Sequence, residues 1–417
     1  MIEWDETQAA VREAIRKFVE DEVKPRRDAL EREEVSPYDV LRKFFAAFGV
    51  GDMGRARGEA EAARARRREE AVARGETPPT RAKREGPSPE AGAELALRMI
   101  PVIEFSRYCP GLITALGVSA GLTPNAIISR GTSRQIERWA LPLLTLEKVG
   151  AWAITEPGSG SDAFGSMKST ARRDGDGYVL NGNKTFITNG PYADTIVFIC
   201  KLDEGNDARD RKVVSFILDR GTPGLTQSKP LRKMGQHASP TGELFLDDVR
   251  VERDRLIGET ENAPAREGAK DTFLAERTLV AAMALGIIEQ CLALSTDYAR
   301  TRVQFGRPIG DFQLIQLKLA KMEVARMNVQ NLIFRQIEMA AQGKAMDLAE
   351  ASACKLYSAQ ATMDVTLEAV QLFGGNGYMS EFQVEQLCRD AKVLQIYGGT
   401  DEIQISQIAR TLLGRRG

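Results

Sequence analysis

Apolar residues recur at helical spacing in the first and last thirds of the chain and at strand spacing between them. Asp5 precedes Ala10, Val11, Ile15, Phe18 and Val19, which share one helical face. Gln8, three residues after Asp5, completes a capping box, and Pro25 is expected to limit the helix. A second helix is predicted over 37–48. The pattern returns over 93–108, and less regularly over 112–129, where Pro124 should break or kink it. Thr132-Ser133-Arg134-Gln135 is a second capping box, leading into 136–144.

The period changes at Val149. Ala151-Trp152-Ala153-Ile154-Thr155 reads as a strand, with Trp152 and Ile154 on one face and Thr155 on the other. Short β segments follow, punctuated by Asp174-Gly175, Asp176-Gly177 and Asn181-Gly182, which are hairpin signals. From about 263 long amphipathic helices are expected at 273–298, 312–341, 347–373 and 401–413. The reading is α+β: an N-terminal helical domain (1–148), a middle antiparallel β-barrel or sandwich (149–260) and a C-terminal four-helix bundle (261–417). The two helical parts could merge into one bundle.

Residues 55–92 break the pattern. Arginine and glutamate alternate with alanine, Val72 is the one sizeable aliphatic residue, and Pro-rich turns follow. Such a stretch lacks a core face, which predicts a solvated helix over 59–74 and a mobile insertion.

A net charge of −1 argues against nucleic acid or an anionic membrane as the main partner. No leader segment is read at the N-terminus and no apolar run is read as membrane-spanning. Five scattered cysteines without a CxxC pair fit reduced thiols in a cytoplasmic setting. With one histidine, His237, a His-based triad or multi-His metal site is not a strong idea, and His237 itself reads as structural or incidental. Acid–base chemistry must then fall to carboxylates, Lys, Tyr or Cys.

Near the C-terminus a helix-like segment from Arg389 runs into Gly398-Gly399, and Thr400 is placed to cap a new helix with Asp401 and Glu402 in its first turn. Alone, this is a glycine turn between two helices. In company it is more. Ala151 to Asp162 (AWAITEPGSGSD) resembles the first signature of the acyl-CoA dehydrogenases. Gln371 to Tyr378 (QLFGGNGY), Arg389-Asp390-Ala391 and Tyr397 to Ile403 (YGGTDEI) resemble the second. Lys184 to Gly190 (KTFITNG) and Arg302 to Gly306 (RVQFG) also fit.

The resemblance covers almost the whole chain outside 55–92. It implies an α-β-α fold, FAD, an acyl-CoA substrate, electron-transfer flavoprotein as electron acceptor, a role in fatty acid β-oxidation, and a homotetramer. By the same resemblance Trp152, Ile154, Thr155, Gly160, Ser161, Phe186 and Thr188 contact the flavin. Phe186 stands where the family often has Trp. Arg302, Gln304 and Phe305 match an arm reaching the FAD of a neighbouring subunit, and Gln371, Gly374, Gly375, Thr400 and Glu402 match further FAD contacts. Ser161, Phe273, Arg277, Tyr397 and Gly398 are implied substrate contacts, and the Glu402 amide is implied to hold the thioester oxygen.

Most of the family carries its catalytic glutamate directly after the tyrosine of the last motif, and here that position is Gly398. Three readings follow: an inactive protein, Glu402 as base, or Glu276. Phe273-Leu274-Ala275-Glu276-Arg277 matches the long-chain and isovaleryl branches, where the base precedes an arginine on the helix after the β domain. Glu276 is the expected base, and Gly398 the space that admits it. The expected reaction is FAD-dependent α,β-dehydrogenation to trans-2-enoyl-CoA. An acyl-CoA oxidase and a non-catalytic flavin- or CoA-binding subunit are the rivals.

Overall fold

The computed structural model describes residues 3–77, 86–262 and 265–414, with backbone alone from 265 to 276. The first helix, Glu6–Phe18, opens on the expected box: the Asp5 carboxylate accepts from the Gln8 amide at 2.8 Å, and the Gln8 side chain accepts from the Asp5 amide at 3.2 Å. Pro25 does not end the helical path. A π turn (Val19–Val23) and a 3-10 turn (Lys24–Arg26) carry it on, with Pro25 in the first turn of its segment, where a missing N–H costs little.

The flanking helices share one core. Ile15, Phe44, Ile103 and Phe105 from the first part meet Ile287, Ile288, Ile333, Phe334 and Leu372 from the last. The helix Pro89–Ser106 packs on both Ala265–Thr301 and Gln313–Ala341, so the bundle is assembled from both ends of the chain. Two helical stretches, Pro110–Ile128 and Arg277–Thr301, are after all long and apolar enough to cross a membrane; half of the first and 67% of the second is buried in the molecule.

The middle part is a seven-stranded mixed sheet: β1 (Gly150–Ala153), β2 (Thr170–Asp174), β3 (Gly177–Thr188), β4 (Thr195–Leu202), β5 (Val213–Asp219), β6 (Leu225–Gln227) and β7 (Thr241–Val251). β1 and β2 both lie parallel to β4, and the other pairings are antiparallel. Turn residues report neighbouring hairpins such as β2–β3 at Gly175; they carry no signal for pairings closed by longer crossovers. Asn181-Gly182 is no turn. It lies inside β3 at the first of two irregularities in pairing with β7, between Leu180 and Gly182.

The helix expected over 59–74 spans Val50–Ala73 and is docked, which corrects the solvated reading. Gly58, Ala62, Ala65 and Ala71 are buried, and Ala62 and Ala65 join a core with Ile127, Ile136, Trp139 and Leu143. Val72, the one aliphatic residue, is exposed. Small residues bury the backbone itself: a Cβ at Gly54 would lie 2.4 Å from the Leu144 carbonyl. Glu69 then caps the helix beginning at Ser133, accepting from its amide at 2.6 Å and its hydroxyl at 2.8 Å. The loop at 78–85 lies outside the described residues.

Two joints hold sheet to helices. Asn189, buried, donates to the carbonyls of Ala115 and Gly150 (both 2.9 Å) and accepts from the Tyr38 hydroxyl at 2.9 Å. At the other, the fully buried Asp390 accepts from the Gln236 amide and from Gln386 (3.1 Å). His237, which the sequence leaves unpaired, faces Glu31 at 3.2 Å, and Arg389 bonds both Glu31 and the Met234 carbonyl. Burial, then the Glu31 charge, pushes the Asp390 carboxyl up to about 7. Burial brings Lys233, beside it, down to about 8, and the Glu31 contact raises His237.

The sign follows for Asp390. An unfolded aspartate releases its proton near pH 4. Between there and about 7 the folded chain holds a proton that the unfolded chain has lost. This contribution is complete below the unfolded value and is lost as pH rises through the folded one, at up to ~1.4 kcal/mol per unit. His237 adds to the trend, since its raised value also favours the protonated state. We expect Asp390→Asn to gain stability relative to wild type as pH goes from 5 to 7, read by denaturant melts across that range. Parallel curves for the two proteins would contradict it.

Candidate functional site

The strand β1 ends at Ala153, and the chain then turns sharply: Glu156 and Ser159 exchange backbone hydrogen bonds at 3.1 and 3.0 Å. Ile154 is buried beside Met167 and Val197, and Trp152 is partly buried against the same cluster. They share a face as expected, but the Ile154 side chain belongs to the core, leaving its backbone to serve a ligand. Thr155 is half-buried on the other side, and its carbonyl accepts from the Thr185 amide at 2.9 Å.

That bond brings in β3 at its second irregularity, between Lys184 and Ile187. There the chain turns Lys184 fully inward and Phe186 out, with Phe186 at φ +56° and 69% exposed. Positive φ on an aromatic residue is a strained backbone, of the kind that recurs at ligand sites. Trp152, Thr155 and Thr188 are half-buried and the Phe186 ring is exposed, and the Thr155–Thr185 bond sets the two segments side by side. Such a set suits a planar aromatic ligand with a hydrogen-bonding edge. Gly160 and Ser161 follow on the exposed turn.

A second cluster forms under the turn at 397–401. Thr400 caps the last helix, Asp401–Leu412, accepting from the Ile403 amide at 3.4 Å. Gly398 has φ +62°, a conformation that disfavours any side chain there. Three donors reach its carbonyls from below. Gln404, fully buried, bonds Gly398 O at 3.0 Å and Gly399 O at 2.8 Å. Lys355, also fully buried, bonds Gly399 O at 2.9 Å and lies 3.4 Å from Asp401. Arg277 bonds Gly398 O at 3.3 Å and the Ser352 hydroxyl at 3.1 Å. In a trans peptide C=O and N–H point opposite ways. With the carbonyls of 398 and 399 drawn into the cluster, the amides of Gly399 and Thr400 point away from it.

Arg277 was expected to steady the helix or to touch the pantetheine arm of the substrate. Its guanidinium is buried against the turn and Ser352, as the first of these roles requires. Glu402 is exposed, and its carboxylate is held below the usual range by its own amide and then the Thr400 hydroxyl. Tyr397 packs partly buried against the main core and reaches Met283 Sδ at 3.3 Å. The side chains of Glu276 and Phe273 lie outside the described residues; their backbone is on the helix Ala265–Thr301.

Arg302, Gln304 and Phe305 sit on an exposed two-strand ribbon (Val303–Gln304 with Arg307–Pro308), Phe305 being 94% exposed. Gln371, Gly374 and Gly375 are exposed at the end of the helix Leu348–Phe373. Hydrogen bonds join the first two groups internally, but among the described contacts none draws these two outlying groups into either cluster. Lys355, Gln404 and the pair Lys184–Glu156 escaped the sequence reading. The available signal was a lysine on the small-residue face formed by Ala351, Ser358, Ala359 and Thr362, all buried.

The descriptions of known families and relatives agree with this layout. Residues 151–249 match the family model "Acyl-CoA dehydrogenase, middle domain" and 267–413 match "Acyl-CoA dehydrogenase, C-terminal domain". A short-chain specific acyl-CoA dehydrogenase of Megasphaera elsdenii is 38% identical over 328 residues, covering 79% of this chain and 84% of the relative. An isovaleryl-CoA dehydrogenase of Oryza sativa subsp. japonica is 31% identical over 418 residues, covering 98% and 92%. The solved butyryl-CoA dehydrogenase of Megasphaera elsdenii superposes with a TM-score of 0.80 at 31% identity, covering 99% of this chain and 100% of that one.

Proposed function

The chain belongs to the acyl-CoA dehydrogenase family of FAD-dependent oxidoreductases, and we propose that Glu276 is the base that begins its reaction. Acyl-CoA dehydrogenation is the coarse activity. In this proposal the Glu276 carboxylate takes the α-proton and the product is the trans-2-enoyl thioester. FAD, when bound, supplies the acceptor for the hydride leaving Cβ. Trp152, Thr155, Phe186 and Thr188 would hold its ring system, and their mix of aromatic surface and edge donors fits it.

One observation carries the assignment of the base. Arg277, the residue after Glu276, bonds the Gly398 carbonyl at 3.3 Å, so the helix bearing Glu276 lies against the turn that lacks a carboxylate. An α-proton is weakly acidic, and its removal needs donors on the thioester oxygen as negative charge grows there. The outward amides of the 398–400 turn suit that task. Electron-transfer flavoprotein is the proposed acceptor of the electrons and the cytoplasm the proposed setting. A homotetramer is supported by an apolar face on the helix Gln313–Ala341, where Leu314, Leu317, Val324 and Met327 are each at least half exposed.

Mixing with butyryl-CoA, isovaleryl-CoA and longer thioesters under nitrogen tests this reading. We expect the flavin absorbance to bleach with at least one thioester, and to recover with electron-transfer flavoprotein far faster than with oxygen. No bleaching would support a non-catalytic subunit, and recovery at turnover rate with oxygen alone would make the protein an oxidase.

A further inference from the structure

Lys184 has no place in the chemistry above, yet it is among the largest fully buried side chains of the molecule. Its ammonium donates to the Ile154 carbonyl at 3.0 Å and to Glu156 Oε1 at 2.9 Å, and lies 5.2 Å from the Phe198 ring centre. Glu156 is 5% exposed and saturated: Oε1 also accepts from the Ser169 amide (2.9 Å), and Oε2 from the Lys168 amide (2.6 Å). Burial works against both charges: Lys184 and these amides hold Glu156 below the usual carboxylate range, while burial lowers Lys184 against the pull of Glu156.

This ion pair joins two motifs, AWAITEP and KTFIT, directly behind the ligand wall. Its structural cost is high. Desolvating two charges is rarely repaid in stability, and an apolar pair of similar volume would serve a strut as well. The placement of the ammonium offers another role. Ile154 C=O and Thr155 N–H belong to one planar peptide and point opposite ways. Lys184 draws the carbonyl inward, which aims the Thr155 amide outward, beside Phe186. Among the described residues nothing accepts from that amide. A full charge on the carbonyl also polarises the peptide and strengthens its N–H as a donor.

We propose that Lys184 is a positioning residue that aims and polarises the Thr155 amide toward the bound flavin, raising the flavin's reduction potential. This rests on the reading that the FAD ring lies on the Trp152–Thr155 and Phe186–Thr188 wall. Hydride uptake adds two electrons and one proton, leaving the ring more electron-rich, so a sharper donor at its edge favours the reduced state. Glu156 is the counter-charge that keeps Lys184 in place and tempers its field.

The test uses the FAD-loaded full chain, with the midpoint potential read spectroelectrochemically, and the apoprotein, with its melting temperature read alone. Lys184→Gln combined with Glu156→Gln removes both charges while keeping the volume. We expect it to bind FAD with a reduced-to-oxidised equilibrium shifted at least tenfold toward oxidised, about 30 mV for a two-electron couple. Glu156→Gln alone leaves the ammonium uncompensated and should shift the equilibrium the other way. Unchanged potentials in both variants, with lower apoprotein melting, would overturn the proposal and leave the pair a strut. If the double variant loses FAD, a wild-type potential in Glu156→Gln would overturn it equally. Trp152→Ala separates the underlying premise: undiminished FAD affinity there would move the flavin elsewhere, whereas weakened affinity with unmoved potentials sinks the Lys184 role alone.

Discussion

Glu276→Gln is expected to keep its FAD and its fold while losing thioester oxidation by about 10³-fold or more, the scale of removing a general base from a carbon acid. The substitution preserves volume and removes the one property the step requires. The helix carrying Glu276 is anchored to the 398–400 turn through the neighbouring Arg277, so the loss should fall on the bleaching rate with bound thioester, and little on binding. Glu402→Gln is the matched control. That carboxylate is exposed, and its loss should cost less than about tenfold. Stopped-flow bleaching of both variants under nitrogen settles the order. If Glu402→Gln is dead and Glu276→Gln is active, the assignment is reversed.

The path to that residue shows what could be read in the sequence. Period and caps placed the starts of the capped helices within a residue, because Asp5, Thr132, Asp347 and Thr400 each bond the amide three residues on, whereas the helices Val50–Ala73 and Ala265–Thr301 begin eight or more residues before the predicted 59 and 273. The shared helical core was open to reading, since long apolar helices at both ends of a chain need a common partner. The strand order was not, because the β1–β4 and β2–β4 pairings are closed by crossovers that leave no turn signature. The docking of Val50–Ala73 was hidden for a different reason. Hydrophobic patterning looks for large apolar side chains, and this helix buries glycine and alanine while Val72 faces water.

At the site, the residues legible from sequence were those that would face a ligand: Trp152, Phe186, Thr188, Gly398, Thr400. Those behind them were not. Lys184, Glu156, Lys355 and Gln404 all act on main-chain carbonyls or amides, and a residue that bonds backbone carries no partner-specific motif. Arg277 was legible as a residue that steadies the helix or touches substrate, and its bonds to Gly398 and Ser352 match the first of these.

Lys355→Met is expected to show how much the turn depends on its hidden support. The lysine is wholly buried on the helix Leu348–Phe373 and gives a charged hydrogen bond to Gly399 O, with Asp401 3.4 Å away. Methionine fills the stem's volume but leaves Gly399 O to Gln404 alone and Asp401 without this cation, a loss of about 3–5 kcal/mol for a buried pair broken on one side. Denaturant melts should show that loss. Gln404→Leu removes two neutral bonds to the same turn, leaving Gly398 O to Arg277 and Gly399 O to Lys355, and should cost about 0.5–1.5 kcal/mol for each bond lost. Because Lys355 and Gln404 share Gly399 O, their combined loss should differ from the sum by more than about 0.5 kcal/mol. The catalytic readout separates support from bulk stability. A turn displaced by an ångström should lower kcat by about 10²-fold. FAD content should hold, because the aromatic wall at Trp152 and Phe186 lies on the sheet. A variant that loses stability yet turns over at the wild-type rate would show that the Gly398–Gly399 peptides keep their aim without Lys355. The orientation of the turn would then rest on Arg277 and Gln404.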